Sequence, residues 1–204
     1  MGLATAERAD LADLLSTLTP DEWDARSLCA GWRIRDMVAH MFSYDELSIP
    51  RLVGRFVLGG LLPDRVNAAG VAAYADLSTD DLVMLVRDHL RPGGLTAGFG
   101  GRIALTDGLI HHQDIRRPLG LPRDIPAERL LCALPFACTA PTIGAAKRIR
   151  GLRLVADDLD WTTGSGAVVE GPAEALLMAI GGRRDVIGEL SGPGRSTLAQ
   201  RVGE

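Results

Sequence analysis

Aromatic residues are scarce in this chain of 204 residues: three Trp, two Tyr and four Phe, 4% in all. The core must therefore come from aliphatic side chains, which the 47% hydrophobic content supplies amply. Twenty-four Gly and many Ala suit close packing of helices through small residues. Cysteine is rarer still, three in total with no CxxC spacing. That excludes a disulfide framework and makes a reducing cytoplasm the expected compartment. No block of positive charge exists: 22 Lys and Arg are scattered among 26 Asp and Glu, for a net charge of −4 and a pI near 5.6. An electrostatic footprint for nucleic acid is thus absent. No apolar run approaches the roughly 20 residues that span a bilayer. The most apolar window, RLVGRFVLGGLLP, is interrupted by two Arg. The first residues, MGLATAERADLADLL, lack the basic stretch and apolar run of a signal peptide. No membrane association is expected.

What is present is helical periodicity. Leu11, Leu14, Leu15 and Leu18 recur at helical spacing within residues 3–18. Thr19 and Pro20 then stop that helix and start a short turn. A second helix begins near Trp32, with Ile34, Met37, Val38, Met41 and Phe42 on one apolar face. Residues 50–77 read as a helix plus loops. Ser78 with Asp81 forms a cap before TDDLVMLVRDHL, the third helix. GGRIALTDGLIHHQDIRRPLG makes the fourth, and residues 126–149 are helical again with Pro135 and Pro141 as interruptions. The texture changes at Gly151. GLRLVADD alternates as a half-buried strand does, LDWTTGSGAVVEG is turn-rich with β-prone ends, and GPAEALLMAIGG is a short helix. The expectation is a mostly α fold: a helical bundle over residues 1–150 and a small α/β C-terminal domain over residues 151–204. A homodimer is possible, although no feature specifies an interface.

The chain has only four His, and three matter chemically. On the fourth helix Asp107, His111 and Asp114 share a face, while His112 falls on the opposite side. A carboxylate and an imidazole aimed at a bundle interior need partners, because a buried lone charge is costly. Two solutions fit. The pair can simply hydrogen-bond at i, i+4, or it can share a divalent metal with His40 of the second helix, since bundle metal sites draw ligands from facing helices. Three protein ligands leave a coordination position open, as in catalytic zinc sites. Asp36, one turn before His40, and Asp114, three residues after His111, are candidates to hydrogen-bond the far nitrogens of the two rings, or are solvated helix charges. Trp32 and Cys29 read as packing residues.

Four segments, LCAGWRIRDMVAH, DRVNAAGVAAY, DGLIHHQDIRRPLG and GLRLVADDLDWTTGSGAVVEGPAEALLMAIGGR, occur in an order that resembles the mycothiol-dependent maleylpyruvate isomerase family. The resemblance runs over roughly residues 5 to 200. It implies a DinB-like four-helix bundle, a sterol-carrier-like C-terminal domain, and a divalent metal, zinc above all, held by His40, Asp107 and His111. It also implies mycothiol as co-substrate and a small electrophilic substrate, with the metal activating the thiol as thiolate for an isomerase or transferase reaction. Asn67 enters as a substrate-side residue by its place in the resemblance, and Arg116 and Arg117 as cationic contacts for carboxylates. One departure stands out: Asp107 occupies the position where the family has Glu, which sets its carboxylate about 1.5 Å nearer the backbone. That shortening supports a second reading, a non-catalytic DinB-like module that binds a small molecule or protein with a weak or lost metal site.

Overall fold

The computed structural model describes residues 1–60 and 62–202. By contact the chain divides into two compact units, Met1–Pro122 and Arg123–Glu204. The segment 123–150, assigned to the bundle on its helical pattern, thus packs with the C-terminal unit instead. An amphipathic pattern says that a helix has a partner, not which one.

In the first unit, α1 (Gly2–Leu15), α3 (Ile34–Phe42), α6 (Thr79–Asp88) and α7 (Gly98–Arg116) form the bundle. Helix α1 packs on α6 and α7, and α3 packs on the same two, so the four close into a ring. The leucines of α1, Leu11, Leu14 and Leu15, meet Ile34, Met37, Val38, Met41 and Phe42 of α3, with Leu82, Val86 and Ile115 completing the interior. Each of these aliphatic side chains contributes about 1.5–3 kcal/mol on full burial. Short helices connect the frame: α2 (Pro20–Asp24), α4 (Ile49–Leu58) and α5 (Pro63–Ala72). Two of the starts follow the capping chemistry visible in sequence. Thr19 accepts from Glu22 N–H while Glu22 accepts from Thr19 N–H, and Ser78 does the same with Asp81.

Helix α7 begins abruptly. Phe99, Gly100 and Gly101 all have positive φ, so the regular helix starts after them. Its far end and the α3 entry are joined by the loop at residues 25–33. Leu28 N–H donates to the Asp114 carbonyl at 3.1 Å, and Ile34 N–H to the Ala25 carbonyl at 3.0 Å.

A buried ion pair holds the bundle's other end. Arg8 of α1 pairs with Asp45, just past α3, and donates to the His89 carbonyl at 2.6 Å and to Thr96 Oγ1 at 3.1 Å. Thr96 Oγ1 in turn donates to Asp45 at 2.8 Å. The two charges are thus compensated by several hydrogen bonds, as a desolvated pair requires.

The second unit carries α8 (Ala127–Thr139), α9 (Ala145–Ile149), α10 (Ala173–Ile180) and α11 (Arg195–Arg201) beside a sheet of β1 (Leu152–Ala156), β2 (Thr162–Gly164) and β3 (Ala167–Gly171). The strand order is β2-β1-β3, antiparallel to β2 and parallel to β3. Strand β1 buries Leu152, Leu154 and Ala156 on one face, the alternation its sequence shows. Two residues carry the chain from one edge of β1 to the other. Gly166, at φ +121°, sits where a Cβ would lie 2.1 Å from the Gly151 carbonyl oxygen, so no other residue fits. Helix α10 is buried on nearly all sides, from Ala173 and Ala175 through Ile180, as its uniformly apolar sequence demands.

Candidate metal centre

Helix α7 presents two stripes. One turns Asp107, His111 and Asp114 toward α3. The other turns Gly108, His112 and Arg116 toward α1, where a Cβ on Gly108 would lie 3.3 Å from Glu7 Cγ. The first stripe carries the candidate centre. His111 Nε2 lies 3.3 Å from Asp107 Oδ1. From α3, the His40 ring stands perpendicular to the His111 ring, at 89° with centroids 5.1 Å apart. One donor atom each from His40, Asp107 and His111 lies within 4.8 Å of the other two. Ligands sharing a tetrahedral zinc lie about 3.4–3.8 Å apart, given bonds of about 2.0–2.3 Å. Asp107 and His111, at 3.3 Å, already have that spacing; closing the whole trio from the 4.8 Å bound takes at most about 1–1.4 Å, and its nitrogen, oxygen, nitrogen donor set suits zinc. Asp107, shorter than Glu, still brings an oxygen beside His111 Nε2.

The far nitrogen of His111 is held too. His111 Nδ1 is 2.8 Å from Asp114 Oδ2, and Asp114 is fully buried. A carboxylate there fixes the ring's orientation and leaves Nε2 for a ligand role. Cys29 donates its thiol to the same Asp114 oxygen at 3.3 Å. Trp32 packs on the His40 ring with centroids 4.8 Å apart, and Tyr44 approaches that ring edge-on at 6.0 Å. Tyr44 donates its hydroxyl to Asn67 Oδ1 at 2.6 Å, while the Arg55 guanidinium lies over the Tyr44 ring at 5.2 Å. Asn67 of α5 is thereby brought to the wall of the centre through Tyr44.

Electrostatics follow the geometry. Burial lowers the His111 imidazole's proton affinity, but the Asp107 charge and hydrogen bond, with the bonds to Asp114 and Cys29, outweigh it and hold the pKa well above the usual value. Burial likewise raises Asp107, yet the charge and hydrogen bond of His111 and the charges of His40 and Arg8 hold its carboxyl below the ordinary range. Without metal, His111 and Asp107 are an imidazolium–carboxylate pair. A cation held at Nε2 would replace that proton, so its binding would be linked to pH.

Two expectations need correction. Asp36 does not reach the His40 ring; it accepts from Arg33 N–H at 2.9 Å and Arg33 Nε at 3.1 Å, closing the start of α3. A helix start has bare N–H groups to satisfy, and that demand takes Asp36. Arg116 donates its Nε to His112 Nε2 at 2.9 Å, and His112 Nδ1 meets Glu7 Oε1 at 2.8 Å. That buried chain ties α7 to α1 on the stripe away from the centre, so Arg116 is not aimed at it. His112 faces away from the centre, as the helical wheel indicates. Arg117 caps the C-terminal end of α7. Trp32, read as a packing residue, does pack against the core cluster, and its ring also lies on His40. Cys29 and Tyr44 are site residues that sequence reasoning missed. For Tyr44 the signal was present, one turn after His40; for Cys29 there was none, because its partner lies 85 positions away.

Residues 4–49, which include most of α1 and His40, match the family model of the mycothiol maleylpyruvate isomerase N-terminal domain. No curated protein matches the chain in sequence. Among solved structures, the crystal structure of the mycothiol-dependent maleylpyruvate isomerase is similar at 16% identity and a TM-score of 0.61. A histidine-to-alanine mutant of that enzyme is similar at 15% identity and the same TM-score, and each comparison covers 94% of this chain and 90% of the other. The resemblance to the mycothiol-dependent maleylpyruvate isomerase family thus holds in the N-terminal segment, and the chain has the fold of that solved enzyme.

Proposed function

We propose that this chain is a metal-dependent enzyme that uses a small thiol, mycothiol by resemblance, to act on a small electrophile. The observation that carries the reading is the convergence of His40, Asp107 and His111 donor atoms within 4.8 Å, from two facing helices. Two imidazoles and a carboxylate would hold a divalent cation, most reasonably zinc, with a position left for sulfur. Such an ion, when bound, lowers the pKa of a coordinated thiol so that it is a thiolate at neutral pH.

The chain's own residues do the rest. Asp114 accepts a hydrogen bond from His111 Nδ1–H and keeps Nε2 turned inward. Trp32 and Tyr44 fix the His40 ring from two sides. Asn67 and Arg55 hold Tyr44 and supply polar and cationic character at the wall, suited to a carboxylate-bearing electrophile. A thiolate that adds to a conjugated double bond and leaves after the bond rotates gives an isomerase; one that stays attached gives a transferase. The same residues serve either outcome. A reducing compartment, the cytoplasm, goes with a thiol co-substrate. No helix among the described residues is long and apolar enough to cross a membrane.

Elemental analysis of the purified protein, followed by thiol binding with and without chelator, tests the reading. Stoichiometric zinc, lost together with thiol binding in His40→Ala, is the expected result. A folded protein that takes up no divalent metal at any pH refutes it and leaves the non-catalytic binding module.

A further inference from the structure

His111 has a second furnished edge. On the Nδ1 side stand Asp114 Oδ2 at 2.8 Å and, beyond it, Cys29 Sγ at 3.3 Å from that oxygen. One donor atom each from Cys29, His111 and Asp114 lies within 4.8 Å of the others. A carboxylate on the outer nitrogen is the ordinary partner of a ligating histidine. A thiol added to it is not needed for that purpose, and it changes the donor set from hard to soft.

The placement of the sulfur is built into the backbone. The loop that carries Cys29 is fastened to α7 at the very residue in question, by Leu28 N–H donating to the Asp114 carbonyl at 3.1 Å. Ser27 Oγ accepts from Cys29 N–H at 3.2 Å, and the Cys29 carbonyl accepts from Trp32 N–H at 3.1 Å. Neither Sγ nor Oδ2 owes its position to a long flexible side chain. Cys29 is half-buried and Asp114 fully buried, so the sulfur is the side from which an ion would enter.

We propose that Cys29, Asp114 and the Nδ1 edge of His111 form a second metal position, which takes a thiophilic d10 cation such as Cd(II). Sulfur, imidazole nitrogen and carboxylate oxygen are the donors that favour such ions over hard ones. On binding, Cys29 releases its thiol proton and His111 its Nδ1 proton to solvent, so that sulfur and Nδ1 become ligands while the ring's remaining proton stays on Nε2. A protonated Nε2 cannot hold a metal. The two edges of His111 therefore exclude one another, and a thiophilic ion at Cys29 displaces the ion held with His40. The position is independent of whether the His40 edge proves catalytic.

Titrating metal-free protein with Cd(II) and reading the ultraviolet thiolate-to-metal charge-transfer band tests this. The expected result is one equivalent bound with a full band, retained in His40→Ala and lost in Cys29→Ser. A Cys132→Ser/Cys138→Ser double variant keeps the band, and Cys29→Ser still takes up zinc, which shows that it is folded. Bound zinc in the unaltered protein is released in proportion to Cd(II) added, and in Cys29→Ser at least tenfold more Cd(II) is needed. A band that survives Cys29→Ser, a band lost in His40→Ala, or no band in the unaltered protein overturns the proposal.

Discussion

Replacing Asp114 by Asn changes almost nothing in volume and removes one charge. The carboxylate is buried and accepts from His111 at 2.8 Å and from Cys29 at 3.3 Å. A hydrogen bond to a charged group is worth about 1.5–3 kcal/mol. Over RT of about 0.59 kcal/mol, that is roughly 10- to 150-fold in an equilibrium constant. Loss of the carboxylate behind a ligating histidine costs about 10–100-fold in metal affinity, an independent route to the same range. Asp114→Asn should therefore weaken zinc binding by about 10–100-fold, measured by competition with a chromophoric chelator at fixed pH. In metal-free protein the same change should destabilise the fold, and the loss should depend on pH. The His111 pKa is raised in the folded state. Its stabilisation is thus complete below the unfolded imidazole pKa of about 6.5 and fades as pH rises through the folded value. Denaturant midpoints of the two proteins should diverge most in acid and converge in base. Zinc affinity within threefold of the unaltered protein would show that Asp114 does not orient His111, and the reasoning about this centre would fail with it.

Asp107→Glu should leave zinc affinity within about threefold, because the Asp107 oxygen already lies 3.3 Å from His111 Nε2, a spacing that suits shared tetrahedral coordination; a tenfold gain on isothermal titration would show that Asp107 is too short. Asp45→Asn should destabilise the protein by about 3–5 kcal/mol, since it leaves the Arg8 charge buried against a neutral partner; chemical denaturation followed by circular dichroism reads this, and a loss under 1 kcal/mol would contradict it. Gly166→Ala should lower the thermal midpoint sharply or abolish the C-terminal unit's native amide spectrum, since its Cβ would meet the Gly151 carbonyl. Cys138, whose thiol burial pushes up to about 11, should react with iodoacetamide at pH 8 far more slowly than a free cysteine; equal rates measured by mass spectrometry would refute its burial as the cause.

The bundle was legible because its helices repeat apolar residues at helical spacing, and the three ligand candidates because Asp107 and His111 sit one turn apart on such a helix. What remained hidden shares one cause. Arg8 with Asp45 and Cys29 with Asp114 are pairs whose members lie far apart in the chain, and nothing local to either residue announces the other. Asp36 shows a different failure. A carboxylate three residues into a helix serves the backbone before it serves a neighbouring ring, and its offset of four from His40 suggested the wrong partner. The boundary at Pro122 was masked because α8 carries an ordinary amphipathic pattern, which the bundle and the C-terminal unit would satisfy equally well. Arg116 was assigned by its distance along the helix from His111, where its direction around the axis decides the matter.

The two stripes of α7 have a consequence for how this protein can vary. Asp107, His111 and Asp114 face α3 and the loop before it, while Gly108, His112 and Arg116 face α1, so these six residues are divided between two neighbours. Adding or deleting a single residue at Gly108 would turn everything beyond it by about 100°. A deletion would carry His112 to the place His111 holds, and an insertion would carry His111 to the place His112 holds, while Asp107 stayed where it is. Lineages of this chain can alter its donors by substitution, one at a time, but the length of this segment is fixed by two neighbours at once.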